Sequence, residues 1–277
     1  MATLSSESIQ TFQKKLADRG HQLYRPMPWR ENTDPYWVLI SEVMLQQTQV
    51  DRVIVKFEEF IQAFPTVEAL ADASFAEVLS HWSGLGYNRR ALWLHESAQV
   101  LVREYGGKVP SDVGMLTALK GIGPNTASAI CVYAFAQPHV FIETNVRAVF
   151  IHEFFQDRDD VHDDEIRELV NQTLDREDPR AWYWAVMDYG TFLKKSVVNP
   201  ARRSAHHSAQ SRFEGSRRQI RGQVLKSLLH EQVVTAGMIS TAYDKDVAVV
   251  ESILGEMERD GLLVRDAVDQ SEYRLRS

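Results

Sequence analysis

At 277 residues and 44% hydrophobic content, the chain has enough apolar material for a full core, arranged as one large or two modest domains. No stretch is apolar for long enough to span a bilayer, the first residues MATLSSESIQTFQKKL lack the apolar centre of a signal peptide, and the lone cysteine, Cys131, excludes an internal disulfide or a four-cysteine metal or iron–sulfur site. The net charge of −7 speaks against a polyanionic partner only as an average: residues 157–168, DRDDVHDDEIRE, are mostly acidic, whereas Lys194, Lys195, Arg202, Arg203, Arg212, Arg217, Arg218, Arg221 and Lys226 face only Glu214 within their stretch. A cytoplasmic protein with one basic stripe is expected.

In chain order, helical periodicity dominates. Apolar residues recur at three- and four-residue spacing in SIQTFQKKLADR, in 37–64 as a single run, and in TVEALADA, SFAEVLSHW, RRALWLHESAQVLVREYG, MLTALK, PNTASAICVYAFA, TNVRAVFIHEFF and DDEIRELVNQTLD. Pro65, Gly106-Gly107 and Pro138 supply stops, and Thr66, Ser74 and Ser111 are candidate N-caps. Residues 194–219 are polar, basic and aperiodic, which reads as a linker or a wrapped loop. Beyond them come a helix with Ile220, Val224, Leu225, Leu228 and Leu229 inward, a short helix at 236–243, a third helix in DVAVVESILGEMERDGLL, and two strands around a polar turn. That order fits a winged helix, and also other small α+β modules. The expected organisation is an all-α body over 1–193, a basic loop or linker over 194–216, and a winged-helix-like module over 217–277.

Two stretches raise questions of chemistry. In SEVMLQQTQV, Glu42 sits inside a run that is apolar from Trp37 to Leu45 and is followed at once by Gln46, Gln47 and Gln49. An acid in apolar surroundings has its charged form penalised and can hold a proton near neutrality. The bland alternative is a buried acid paired with an arginine such as Arg147. In LKGIGPNTASAI, Gly121 and Gly123 permit a tight turn ahead of a helix whose first N–H groups suit a phosphate, although an ordinary helix–helix turn has the same pattern.

Taken together, MPWR, DPYWVLISEVMLQQTQV, FPTVEALADA, HWSGLGYNRRA, the LKGIGPNTASAI hairpin, FIETNVRAVF and WAVMDYG occur in an order and spacing that resembles the helix-hairpin-helix DNA glycosylases, and among them the MutY-type adenine glycosylases, over roughly residues 25–192. The resemblance implies a two-lobed glycosylase fold acting on double-stranded DNA that carries a lesion or mismatch, as a monomer and away from membranes. It implies that Glu42 protonates a flipped base and that the carboxylate of Glu143 stabilises the positive charge at the sugar, where most relatives carry aspartate. Asn125, Asn145, Arg147, Trp29 and Arg30 then support the pocket. Gln46 or Gln47 enters the gap left by the flipped nucleotide, Tyr87 wedges into the duplex, and Lys120, Gly121, Gly123 and Thr126 seat a phosphate.

The departures from the family are as informative. Asn125 stands where glycosylase/lyases place a lysine nucleophile, so hydrolysis without strand cleavage is expected. Leu193, Pro200, Arg203 and Ala209 lie at about the places of the four cluster cysteines, so no iron–sulfur cofactor and no other metal is expected, and Lys194, Lys195, Arg202, Arg203 and Arg212 are the candidate backbone contacts in its stead. The C-terminal module is too short for the domain that reads 8-oxoguanine in longer relatives. Adenine opposite 8-oxoguanine is the expected target. A pyrimidine glycosylase, acting on thymine or uracil opposite guanine or on a modified uracil such as 5-hydroxymethyluracil, is the alternative, and a non-catalytic lesion-binding protein on the same fold is the second.

Overall fold

Glu42 and Val43 are neighbours on one helix, yet they belong to different compact units. The computed structural model describes residues 3–208 and 212–276. Unit 1 comprises Met1–Glu42, Pro110–Ala118 and Ile122–Ala209, and unit 2 comprises Val43–Val109, Leu119–Gly121 and Gln210–Ser277. The boundaries expected at 193 and 216 are not the ones along which the chain clusters, because the C-terminal module shares a unit with residues 43–109.

The helices, in chain order, are α1 Ser6–Leu23, α2 Pro28–Glu31, α3 Pro35–Leu45, α4 Val50–Ala63, α5 Val67–Asp72, α6 Phe75–Trp82, α7 Arg89–Tyr105, α8 Val113–Thr117, α9 Pro124–Phe135, α10 Thr144–Phe154, α11 Asp163–Thr173, α12 Pro179–Ser196, α13 Arg217–His230, α14 Ala236–Tyr243 and α15 Val247–Arg259. Among the described residues, three short strands, β1 Val234–Thr235, β2 Leu263–Arg265 and β3 Glu272–Leu275, form an antiparallel sheet in the order β1-β3-β2. The all-α body and the winged-helix-like module are therefore as expected, with β1 an addition too short to show a pattern. Among the described residues no helix is long and apolar enough to cross a membrane.

Two of the three expected caps are in place. Thr66 accepts from Ala69 N, and Ser74 forms a reciprocal capping box with Glu77. The third is a correction: Asp112, not Ser111, caps α8 through Met115 N, since a carboxylate one residue closer to the turn outcompetes a hydroxyl. The run 37–64 is also corrected. It breaks between Leu45 and Val50, where Gln47 takes a left-handed φ of 55°. No Gly or Pro marks this break. What ends α3 is tertiary: the buried Arg90 guanidinium donates to the carbonyls of Val43 (2.8 Å), Met44 (3.0 Å) and Gln46 (2.7 Å), supplying the partners a fourth turn would have supplied.

The expected loop is corrected as well. Helix α12 continues to Ser196, so Lys194 and Lys195 are helical, and a 3₁₀ turn at Pro200–Arg203 follows. Buried Leu193, Pro200 and Ala201 anchor it, as does pairing of Val161 with Ser204. Residues 209–211 of the predicted stretch lie outside the described residues.

In unit 1, α12 packs on α1 and α10. The approach to α10 depends on Gly190: a Cβ there would lie 2.6 Å from Asn145 Cβ and 2.7 Å from the Asn145 carbonyl. Backbone cannot yield as a side-chain tip does. We expect Gly190→Ala to force α10 from α12, costing about 2–3 kcal/mol in denaturant unfolding and slowing any chemistry that uses the start of α10. Unchanged stability would mean that the helices part without penalty.

Candidate active site

The first turn of α10 is held from several sides. Glu143 is its N-cap, with Oε1 accepting from Asn145 N at 2.7 Å and Val146 N at 3.3 Å. Glutamate is an unusual cap, and here one of its oxygens accepts from both amides. The segment leading to it is clamped residue by residue. Phe141 donates its N–H to the Tyr183 hydroxyl at 3.0 Å and stacks on that ring at 4.1 Å. Ile142 accepts at its carbonyl from Asn125 Nδ2 at 3.0 Å. Asn145 itself donates to Met187 Sδ and accepts from Thr191 Oγ1. Asn125, the residue at the lyase-lysine position, thus ties the start of α9 to the segment carrying Glu143.

Glu42, on α3 in the same unit, is partly buried. Its pKa rises to about 8, first because burial penalises the charge and then because the Glu143 carboxylate faces it. Buried Tyr133 on α9 adjoins the pair: burial raises its phenol well above the usual value, and the charges of Glu42 and Glu143 add to the rise. The electrostatic outcome is a Glu42 carboxyl that holds its proton at neutral pH beside an amide-bound Glu143. The arginine alternative for Glu42 fails here, because Arg147 makes a bidentate pair with Asp163 at 2.8 and 2.7 Å. Lys194 is half-buried one helical turn beyond Gly190. Burial lowers its pKa, opposed by the attraction of Glu143, so it belongs to the neighbourhood of the carboxylates.

Arg30 and Trp29 are buried, and Arg30 is paired with a carboxylate of α12. Its guanidinium donates to Asp188 at 2.7 and 3.2 Å, while Arg25 Nε donates to the same carboxylate at 2.6 Å. This network joins MPWR to WAVMDYG as a structural ion pair, and the Arg30 charge also lowers the Tyr133 phenol against its burial, so the residue expected to support the pocket is held there through Asp188.

Unit 2 gathers the residues expected to probe a duplex. Gln47 is exposed and Gln46 donates to Gly121 O at 3.2 Å. Tyr87, with a left-handed φ of 48°, follows the Gly84–Gly86 turn. Arg90 connects these segments, since beyond the α3 carbonyls it donates to Thr48 Oγ1 (3.0 Å) and the carbonyls of Leu85 (3.3 Å) and Gly86 (3.0 Å). In the hairpin, Gly121 at φ 79° passes so close to Trp93 that a Cβ would lie 2.7 Å from its ring. Exposed Lys120 pairs with Glu96 at 2.9 Å. In unit 1, Gly123 is the N-cap of α9, and Thr126 lies in the first turn of that helix.

The basic residues divide. Lys195 and Arg202 are exposed, and Arg212 is exposed beside Glu214. Arg203 is corrected from a backbone contact to a tether: it donates to the carbonyls of Phe155, Gln156 and Arg158 at 2.7, 2.6 and 3.1 Å. An iron–sulfur cluster does not fit this segment, where Leu193 and Pro200 are apolar core and Arg203 is a cation already engaged by carbonyls. Among the described residues, no three His, Cys, Asp or Glu side chains converge as a metal site.

The sequence singled out neither Arg90 nor Tyr133 nor Asp188 for a role. Only the polar Asp188 inside WAVMDYG gave a local signal, as a charge in an otherwise apolar helix face.

Residues 40–175 match the family model described as HhH-GPD superfamily base excision DNA repair protein. The chain is 32% identical over 261 residues to an adenine DNA glycosylase of Mycolicibacterium smegmatis, covering 88% of this chain and 89% of that protein. It is 43% identical over 127 residues to the adenine DNA glycosylase of Mycobacterium tuberculosis (strain H37Rv), covering 46% of this chain and 42% of that protein, so it matches less than half of that relative's length. Among solved structures, a thermostable thymine-DNA glycosylase superposes with a TM-score of 0.59 at 23% identity, covering 66% of this chain and 86% of that one. A trapped endonuclease III–DNA covalent intermediate gives 0.58 at 20%, covering 76% and 91%. At these identities the structural likeness is one of fold.

Proposed function

Since the chain belongs to the HhH-GPD superfamily of base excision DNA repair proteins, alongside adenine DNA glycosylases, we propose that it excises adenine opposite 8-oxoguanine from double-stranded DNA by hydrolysis. The observation that carries this reading is the carboxyl pair: Glu42 with its pKa at about 8, facing a Glu143 carboxylate fixed on the amides of Asn145 and Val146.

The chemistry follows from that pair. Glu42 gives its proton to a ring nitrogen of the extruded adenine, the N-glycosidic bond breaks, and the bonding electrons leave with the now neutral base. The cationic sugar carbon is stabilised by the Glu143 carboxylate. Water adds to that carbon, its proton passes to a carboxylate, and the product is an abasic site. Asn125 has no amine to form a Schiff base, and its amide is used on the Ile142 carbonyl, so strand cleavage at that position is not part of the cycle. Adenine is preferred over a pyrimidine because adenine is the base named for the relatives that align with the chain.

The test is a panel of labelled duplexes bearing A opposite 8-oxoguanine, T opposite G, U opposite G, and 5-hydroxymethyluracil. Strand breaks are expected only with A opposite 8-oxoguanine and only after alkali, and borohydride is expected to trap no protein–DNA adduct. A break at T or U instead would reassign the base. A break without alkali would refute the hydrolytic mechanism. Binding without excision across the panel would favour the non-catalytic alternative.

A further inference from the structure

The C-terminal module reaches the expected wedge. Most of its charged contacts are braces: Arg217 pairs with Glu256, Arg221 with Asp260, Arg89 of α7 with the same Asp260, and Arg276 with Glu96 of α7. Its helix α15 carries Glu251, Glu256 and Glu258 and is followed by Asp260, so it does not present the basic face of a groove-reading helix. Arg218, near the start of α13, does something different. Its Nη1 donates to the Tyr87 hydroxyl at 2.9 Å, and its guanidinium lies 5.7 Å from the Tyr87 ring centroid. The same ring has the Arg90 guanidinium at 5.5 Å.

We propose that Arg218 is a positioning residue for Tyr87, so that the C-terminal module acts by setting the wedge and does not itself read DNA. The inference rests on the glycosylase reading of Tyr87. Tyr87 needs such help. Its backbone occupies the left-handed region, which disfavours a side chain with a Cβ, and its ring has two torsions to fix. Arg90 fixes the turn through Leu85 O and Gly86 O, and Arg218 is the cation that donates to the phenol oxygen. A hydrogen bond from a cation to that oxygen, together with a second guanidinium near the ring, holds the side chain in one orientation before a duplex arrives. The cost of ordering the ring is then met in folding, and each encounter with a lesion proceeds from an aligned wedge.

The experiment compares wild type, Arg218→Ala, Tyr87→Phe, the double variant and Arg217→Ala as full chains. Stopped-flow fluorescence of 2-aminopurine placed beside the mismatch reads unstacking without turnover, and single-turnover adenine release is measured in parallel. We expect Arg218→Ala and Tyr87→Phe each to slow unstacking on the order of tenfold, with the double variant no slower than either single one. Arg217→Ala, which breaks a neighbouring brace, should unstack at the wild-type rate, and melting temperatures should show whether any loss is one of folding. Unstacking by Arg218→Ala at or above the wild-type rate, or additive losses in the double variant, would overturn the proposal. A wild-type protein that unstacks the duplex yet releases no adenine would refute the catalytic reading and leave the positioning role standing.

Discussion

Replacing Glu42 by glutamine should lower single-turnover excision on the order of 10³-fold while leaving duplex affinity nearly intact, because the amide matches the carboxyl in shape but has no acidic proton to give. The pH profile should carry the same signature. With its pKa at about 8, the Glu42 carboxyl is protonated below that value, so the wild-type rate should hold through neutrality and fall as pH rises past 8. The stability effect runs the other way. The folded state keeps on Glu42 a proton that the unfolded chain releases near 4.5, so the wild type loses stability progressively as pH rises from about 4.5 to about 8. The glutamine variant escapes that loss. At pH 8.5 it should be more stable by about 2 kcal/mol, less than the full shift converts to because the side chain is only partly buried. A variant that is inactive and more stable cannot be dismissed as misfolded. Retention of the wild-type rate would remove Glu42 from the chemistry.

Asp188→Ala should be the most damaging single change to the fold of unit 1. Asp188 is 2% exposed and accepts from both Arg25 and Arg30, the latter 6% exposed. Removal of the carboxylate leaves Arg30 buried with its charge uncompensated, against the Arg25 carbonyl and between the Tyr24 and Trp184 rings. Breaking one side of such a buried pair costs about 3–5 kcal/mol, equivalent to a fall in melting temperature of roughly 10 °C for a protein of this size. Urea titration monitored by tryptophan fluorescence measures it directly. A loss below about 1 kcal/mol would show that water enters and screens the arginines, contrary to the burial seen here.

How much of this was legible in the sequence depends on the range of the interaction that decides each feature. Thr66 and Ser74 were readable as caps because a cap is a local contract, settled within three residues. Glu42 was readable because an acid in an apolar helix is anomalous wherever the helix packs. The end of α3 was not, since the groups that terminate it come from Arg90, more than forty positions away, and Gln46 and Gln47 alone look like a helix turning polar. Arg203 misled for the same reason: a lone arginine in the sequence advertises a charge but not the carbonyls that claim it. Arg218 gave no signal at all, being one cation in a run of them until its chain neighbours were folded against Tyr87.

Arg90 has one further consequence. Its two terminal nitrogens donate to backbone carbonyls and a threonine hydroxyl, so the guanidinium is held by the protein without being neutralised by it. Burial lowers its pKa only to about 10, and it stays cationic at any physiological pH. The two segments it fastens therefore have a fixed monopole behind them, and unlike a surface lysine it cannot swing away or be paired off by a passing anion. The loops that carry Gln47 and Tyr87 thus have a permanent positive charge at their base, whatever their own side chains do.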